Sequence, residues 1–405
     1  MIDGQISFFH GTQEFHNDKP IRLIELFGGY GSQSLALKYL GIPFEHYRLS
    51  EWAVKSIQAY KDMHCPKNDF DYSCECTVAE VKAWLYGKIS RDYNTPMTDE
   101  AIDKLTEKQA RTIYNNMQAT HNLGSITQIK AEDLAVVDTD KYCYIMTYSY
   151  PCQDCSPAGK GAGMTKGSGT RSALLWEVER LLKELNEQKS LPQILLLENV
   201  PQVHGEGNKY DFYAWIRELE ELGYHNYWKD LNAKDYGIPQ NRNRCFMVSL
   251  LGDYYYSFPK PQKLTVRLKD FLDKKVDEKY YLSDKTVEMF IEHTRKQQEK
   301  GNGFKFEPTN GGGYAKSILT RAGERPCDNF VIEQGNEVRE NCGLCADTFG
   351  EELQGIRQIR NGGSGREKAD GVLLNKTPAF FRGTLTDLSR TIDCNGTNGV
   401  VEWKK

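Results

Sequence analysis

The chain has 405 residues, 39% hydrophobic and 27% charged, with a formal net charge of −4 and a pI of about 6.1. This balance excludes a disordered chain and points to two or three domains, and no apolar run approaches the ~18 residues that a bilayer span needs. Mild acidity argues against a surface coated in basic residues but leaves room for a local basic cleft. The 11 cysteines are odd in number and irregularly spaced, behind a start with no basic or apolar leader. They read as reduced thiols of a cytoplasmic protein.

Residues 1–20 are polar and read as a lead-in. From Ile21 to about residue 255, short apolar runs alternate with helical stretches. Strands are predicted over 22–27, 143–148, 194–197 and 245–250, and helices over 34–39, 172–188 and 213–222. Continuous apolar runs separated by helices are what a parallel sheet buried on both faces requires, so the fold class is α/β, doubly wound. Residues 60–120 interrupt this rhythm with a polar insertion, helical over 77–86 and 99–118, read as a solvated decoration. A lysine-rich connector with a terminal helix follows over 256–300. The last segment, 301–405, holds 17 of the chain's 35 glycines and balanced charge. Such glycine density means many turns, and it reads as a small, mostly β domain.

Four strand ends carry chemistry. After the first strand comes Phe27-Gly28-Gly29-Tyr30-Gly31, whose glycines permit a tight turn and close approach of a ligand to a helix N-terminus. Twenty residues after Gly31, Glu51-Trp52 ends the next strand, where a carboxylate can accept from the two hydroxyls of a ribose. Together these read as a nucleotide or S-adenosylmethionine (AdoMet) site. The glycines alone would be only a tight turn, and Ser34 leaves a dinucleotide open. Pro151-Cys152-Gln153 follows another strand end and precedes a Ser/Gly-rich segment suited to a lid over 156–167. Cys152 there is either a nucleophile or a buried bystander. Glu198-Asn199-Val200 leaves a third apolar strand, where a glutamate can hold or donate a proton or simply begin a helix. Arg242 and Arg244, two apart on an extended segment, can grip a carboxylate, a phosphate or a base oxygen, or merely charge the surface.

Taken in order over residues 21–250, these motifs resemble the cytosine-C5 DNA methyltransferases. The set is completed by Arg171-Ser172-Ala173-Leu174-Leu175 and Gln240-x-Arg242-x-Arg244. The resemblance implies an AdoMet-dependent methyltransferase fold, Rossmann-like, with a smaller target-recognition domain. It makes Cys152 the nucleophile that adds to C6 of a flipped-out cytosine, so that C5 can take the methyl group; loss of the C5 proton then expels the thiolate. It assigns Glu198 to N3 of the base, Arg244 to O2, and Arg242 to orienting Glu198. On the cofactor side it places Phe27 against the adenine, Gly28, Gly29 and Gly31 in the turn, Glu51 on the ribose and Trp52 beside it. Pro151 and Leu174 line the same pocket. Ser125-Ile126 stands where the family has Asp-Ile, and Cys155 stands where an aromatic residue is common.

Gln153 and Ser156 are implied DNA contacts. Arg321, Arg325, Arg357, Arg360 and Arg382, in the recognition domain, are candidates for guanines or phosphates. No metal site is indicated: Cys342-x-x-Cys345 has half a zinc spacing and reads as turn cysteines. The family closes its fold with a C-terminal return segment, and only Arg390-Thr391-Ile392 looks like its beginning. The expectation is therefore a truncated chain, a separate chain that supplies the motif, or an impaired protein. The predicted partner is double-stranded DNA bound by a monomer, with no membrane, in a bacterial cytoplasm at the nucleoid. The weighed alternatives are an RNA cytosine-C5 methyltransferase and a catalytically impaired DNA-binding protein. An NAD-dependent oxidoreductase gives no account of Cys152 or Glu198.

Overall fold

Two apolar runs too short to be buried as helices form the centre of a six-stranded sheet. Ile21–Leu26 (β1) is buried at five of its six positions, and Cys143–Tyr148, two strands later in the chain, at all six. The computed structural model describes residues 11–155, 163–273, 276, 280–303, 305–318 and 325–332, with the backbone of Ile356–Gln358 and Glu402–Trp403. The sheet comprises β1, Phe44–Ser50 (β2), Cys143–Tyr148 (β3), Ile194–Asn199 (β4), Tyr224–Asn232 (β5) and Asn243–Leu251 (β6), in the order β2-β1-β3-β4-β6-β5. β1 pairs in parallel with both β2 and β3, and β3 with β4.

β6 departs from the parallel expectation. It runs antiparallel to β4, from Ile194 opposite Leu250 to Asn199 opposite Cys245. A parallel return requires a long crossover, usually a helix, and only a single 3-10 turn, Ala233–Asp235, and the short strand Gln240–Asn241 stand between β5 and β6. A run such as Cys245–Leu250 is equally apolar in either direction, so its orientation is not written in its composition.

Helices cover the strands because strands buried on both faces need cover. In Leu175–Glu187, the inner face is Leu175, Val178, Leu181, Leu182 and Leu185, a helical spacing, and each fully buried side chain of this kind contributes about 1.5–3 kcal/mol. Residues 60–120 are helical, yet they are not solvated decoration. Val78–Leu85 and Glu107–Ala119 start at capping boxes (Thr77 with Glu80, Thr106 with Gln109). They enclose Val81, Leu85, Ile89, Ile102, Ala110 and Met117 together with Ile57 of the preceding helix, Val54–His64. Each short helix brings only two or three apolar side chains, so no single stretch advertises this core.

The described residues divide into two units. One takes those within Met1–Leu231, Asn243–Lys260 and Ser389–Lys405, the other those within Asn232–Arg242 and Pro261–Leu388. In the first, the lead-in is tied down: Gln13–Glu14 pairs with Tyr254–Tyr255, and Phe15 is buried beside Tyr254. In the second, the lysine-rich stretch is structural rather than a linker. Helix Asp284–Glu299 buries Phe290 against Phe306 and Phe330, with ring centroids 5.2–5.6 Å apart. Gln240–Asn241 pairs with Ala315–Lys316, and Phe330–Ile332 with Ile356–Gln358. Among the described residues, no helix is long and apolar enough to cross a membrane.

Candidate active site

The strand order reverses direction at β1, so the carboxyl ends of β1 and β3 flank a topological switch point, where open α/β sheets bind ligands. Phe27, directly after β1, has φ 57°, a left-handed value that costs a bulky residue energy and marks a constrained turn. Gly31 caps helix Ser32–Tyr39 at φ 79°. A Cβ there would fall 2.3 Å from His64 Nε2 and 2.7 Å from the Tyr60 ring, so only glycine fits.

Beneath the turn lies a buried polar network. Glu25 accepts from Ser34 Oγ, from Ser34 N at 3.2 Å and from Tyr60 OH at 2.5 Å. Burial pushes the Glu25 carboxyl above its usual range, against the pull of those hydrogen bonds.

Glu51 leaves β2 into the same turn. Its Oε2 accepts from Gly29 N at 2.9 Å and its Oε1 from Ala53 N at 2.6 Å, and burial pushes its pKa up. Each carboxyl oxygen keeps a second lone pair. The residue can therefore still accept from two vicinal hydroxyls, and this pair of acceptors fits a ribose. Asn122, which composition alone does not single out, fixes Glu51 like a strand neighbour: Glu51 N donates to Oδ1 at 3.1 Å, and Nδ2 donates to the Glu51 carbonyl at 2.9 Å. Trp52 is half-buried. Ser125 follows Gly124, whose carbonyl accepts from Ser50 Oγ at 2.8 Å, so Ser125-Ile126 begins beside the end of β2. Ser125 Oγ lies 3.0 Å from Thr127 Oγ1, and Ile126 is buried in the main core.

Cys152 follows β3 in a turn held from several sides. Asn199 Nδ2 donates to the Tyr150 carbonyl at 3.1 Å, and Ser172 Oγ to the Pro151 carbonyl at 2.7 Å. Gln33 Nε2 reaches Ser149 Oγ at 3.4 Å, and Cys155 N closes the turn on the Cys152 carbonyl at 3.1 Å. Cys152 itself is half-buried, Gln153 is exposed and Leu174 packs at the margin of the core.

Three buried thiols in this unit are poor nucleophiles, since the thiolate is the reactive form. Burial pushes Cys143 up to about 12 and raises Cys155 and Cys245. Cys245 Sγ, His204 and Asp230 bring their potential ligand atoms within 4.8 Å of one another. The His204–Asp230 contact at 2.9 Å and the stacking of His204 on Trp228 account for this group as packing.

Glu198 stands next to last on β4, opposite Phe246 of β6. Arg244, two residues earlier on β6, brings its Nε to 3.0 Å from Glu198 Oε1, with both side chains mostly buried. The pair needs the antiparallel return of β6, which is why sequence spacing did not foretell it.

Arg242 and Gln240 belong to the smaller unit. There Arg242 N donates to Asn232 Oδ1 at 3.1 Å, and the Arg242 carbonyl accepts from Ala233 N at 3.0 Å. Of the expected DNA contacts, Arg357 lies in the backbone strand Ile356–Gln358, and Arg325 N donates to Asp328 at 3.1 Å. Ser156 and most of the proposed lid, Arg321, Arg360, Arg382, the Cys342/Cys345 pair and Arg390 lie outside the described residues.

The sequence reading missed Asp154. Its Oδ2 accepts from Arg171 N at 2.7 Å and its Oδ1 from Arg171 Nη2 at 2.7 Å, and these bonds hold its carboxyl below the usual range. The available signal was an acid two residues after the cysteine and an arginine at the far end of the glycine-rich segment.

A family model described as C-5 cytosine-specific DNA methylase matches residues 95–362. The chain is 37% identical over 272 residues to the type II methyltransferase M2.ScrFI of Lactococcus lactis subsp. cremoris, covering 66% of this chain and 71% of that one. It is 36% identical over 271 residues to the orphan methyltransferase M.SssI of Spiroplasma monobiae, covering 66% and 68%. Among solved structures, the S. pombe Dnmt2 methyltransferase superposes with a TM-score of 0.55 at 13% identity, covering 93% of this chain and 99% of that one, a likeness of fold.

Proposed function

The chain belongs to the C-5 cytosine-specific DNA methylases, and from that premise we propose that Cys152 is the nucleophile with which it methylates C5 of cytosine in duplex DNA. The family uses AdoMet as methyl donor, and bound AdoMet supplies a methyl group on a sulfonium centre, open to attack by carbon. The observation that carries the reading is the tie from Asn199 Nδ2 to the Tyr150 carbonyl at 3.1 Å. It fastens the strand end bearing Glu198 to the turn bearing Cys152, so the two groups that the addition requires are held by one hydrogen bond.

Cytosine C5 becomes nucleophilic only when ring aromaticity is broken. The Cys152 thiolate forms a bond to C6, and the electron pair displaced from the C5–C6 double bond is available at C5. Glu198, as the carboxylic acid, gives its proton to N3 as the thiolate adds, so no net negative charge is left on the ring. Arg244, expected at O2, lies 3.0 Å from the Glu198 carboxyl and takes the orienting role that the resemblance gave to Arg242. After the methyl group is on C5, water takes the proton from that carbon, its electron pair reforms the double bond, Cys152 departs as thiolate and N3 returns its proton to Glu198. A base paired in a duplex exposes neither face of C6, so the substrate cytosine must leave the stack.

On the cofactor side, Glu51 accepts from the ribose hydroxyls, the Phe27–Gly31 turn approaches the nucleoside closely, and Trp52, Pro151 and Leu174 supply apolar surface. Glu51 is supported in this role by its buried setting and its remaining lone pairs.

The test is Cys152→Ser. Transfer of a labelled methyl group from AdoMet to duplex DNA is expected to vanish, with AdoMet binding by calorimetry retained. A serine variant with wild-type turnover would sink the assignment. An assay of duplex DNA against tRNA fixes the substrate, and methyl transfer confined to the duplex is the expected result.

A further inference from the structure

One short segment of the insertion touches both halves of the site. Ser90 N donates to the Trp52 carbonyl at 2.7 Å, and the Ser90 carbonyl accepts from Val54 N at 2.9 Å. This parallel bridge lies opposite Ala53, two residues after Glu51. Asp92 then ties the following turn: its Oδ1 accepts from Asn94 N and Thr95 N, each at 2.9 Å, and from Ser90 Oγ at 3.2 Å. Tyr93, at the tip, has φ 65°, a conformation that a tyrosine adopts only when its surroundings determine it.

The turn presents Asn94 Oδ1 to Arg171 Nη1 at 2.7 Å. Arg171 in turn grips Asp154 through Nη2 and its own backbone N, each at 2.7 Å. Asp154 sits two residues after Cys152, inside the turn closed by Cys155 N. An unbroken chain of hydrogen bonds therefore runs from Trp52 through Ser90, Asp92, Asn94, Arg171 and Asp154 to the nucleophile's turn.

We propose that Asn94 is a positioning residue and that Ser90–Thr95 is a strut holding the Glu51–Ala53 segment and the Cys152 turn in fixed register. The proposal rests on the reading of Cys152 as nucleophile. Arg171 has donors to spare for both neighbours because its planar fork serves Asp154 on one side and Asn94 on the other. Without Asn94, the guanidinium keeps Asp154 but loses its reference to the cofactor side. The Cys152 turn then drifts relative to the methyl donor, and small misplacements of reacting groups are costly in rate. The insertion thus acquires a catalytic purpose that its polar sequence does not announce.

The experiment compares Asn94→Ala with Asn94→Asp in the full chain, using duplex DNA and AdoMet. The alanine variant is expected to lower kcat about tenfold, the worth of one hydrogen bond to a charged group. Its equilibrium AdoMet affinity and thermal midpoint are expected to stay unchanged, because Asn94 is exposed and touches neither cofactor nor core. The rate of Cys152 alkylation, followed by mass spectrometry, is expected to change with kcat. The aspartate variant keeps an acceptor facing Arg171 and is expected to retain kcat. Wild-type kcat and alkylation rate in Asn94→Ala would overturn the proposal, as would an aspartate variant as slow as the alanine one. Methyl transfer by Cys152→Ser, measured with the strut intact, would instead overturn the nucleophile assignment beneath it.

Discussion

Glu198 offers one carboxylate oxygen to Arg244 Nε at 3.0 Å, and neither side chain keeps more than 22% of its surface in water. Such a pair is a modest source of stability, because desolvation offsets most of the attraction. Its value lies in direction: a guanidinium anchored on β6 fixes how the carboxylate leaves β4. Glu198→Gln preserves the shape and an acceptor for Arg244 but removes the proton that would pass to the base's N3. We expect kcat to fall by at least about 100-fold, the lower bound for positioned acid–base groups. AdoMet affinity should remain within roughly twofold, since the loss belongs to the chemical step, and unfolding free energy should fall by up to about 3 kcal/mol, since Arg244 keeps an acceptor but loses its counter-charge. Single-turnover methyl transfer alongside chemical denaturation separates the two readouts. A glutamine variant retaining a tenth or more of kcat would remove Glu198 from the chemistry.

The helix Val54–His64 shows how an element far from the reacting atoms serves the site. Its Tyr60 and His64 form the floor of the glycine turn, where Lys38 Nζ lies 3.0 Å from His64 Nδ1 and the Tyr30 carbonyl 2.8 Å from Nε2. Lysine can only donate, so Nδ1 accepts and Nε2–H serves Tyr30: the ring is neutral with one tautomer. Burial first, and then the Lys38 charge, hold His64 down to about 4 from its ordinary 6.5. Between those values the unfolded chain binds a proton that the folded chain refuses. Stability fully present above about pH 6.5 is therefore lost as pH falls through that window, by about 2 kcal/mol at pH ~5. His46, held down to about 3 mainly by burial, acts in the same sense. His64→Gln can still donate to Tyr30 but does not titrate, so its urea midpoint is expected to fall less between pH 7 and about 5 than that of the wild type; parallel profiles would place the acid sensitivity elsewhere. Elements of this kind mark the boundary of what sequence discloses. The strand Cys143–Tyr148 and the strand-end groups Glu51, Cys152 and Glu198 were legible, because continuous apolar runs and the residues that end them are local signals. The core of Val81, Leu85, Ile102 and Met117 was not, since it is shared among helices that are each mostly polar. Nor was the Glu198–Arg244 pair, which depends on a strand direction that composition does not encode.

At the scale of the whole molecule, a chain with 52 Lys+Arg against 56 Asp+Glu methylates a polyanion. The net charge of −4 cannot draw it to DNA from a distance, and beyond a Debye length of about 8 Å at physiological salt it matters little. Affinity must come from local contacts between cationic side chains and phosphates, each of which releases condensed counterions. The two electrostatic effects respond to salt in opposite ways: added salt screens the net repulsion, which favours binding, and it weakens counterion release, which opposes it. Because repulsion between exposed charges is already largely screened at moderate ionic strength, counterion release should dominate. Duplex affinity is therefore expected to fall linearly on a log–log plot against salt, with a slope of about −0.9 for each phosphate neutralised. Equilibrium binding of a cytosine-containing duplex to Cys152→Ser, titrated from about 50 to 200 mM salt, isolates this term from turnover. A flat or rising plot would mean that the acidic surface, and not a cationic contact set, governs encounter with DNA. A steep one would count the phosphates held, and substituting any one of the lysines or arginines responsible should reduce the slope by about one.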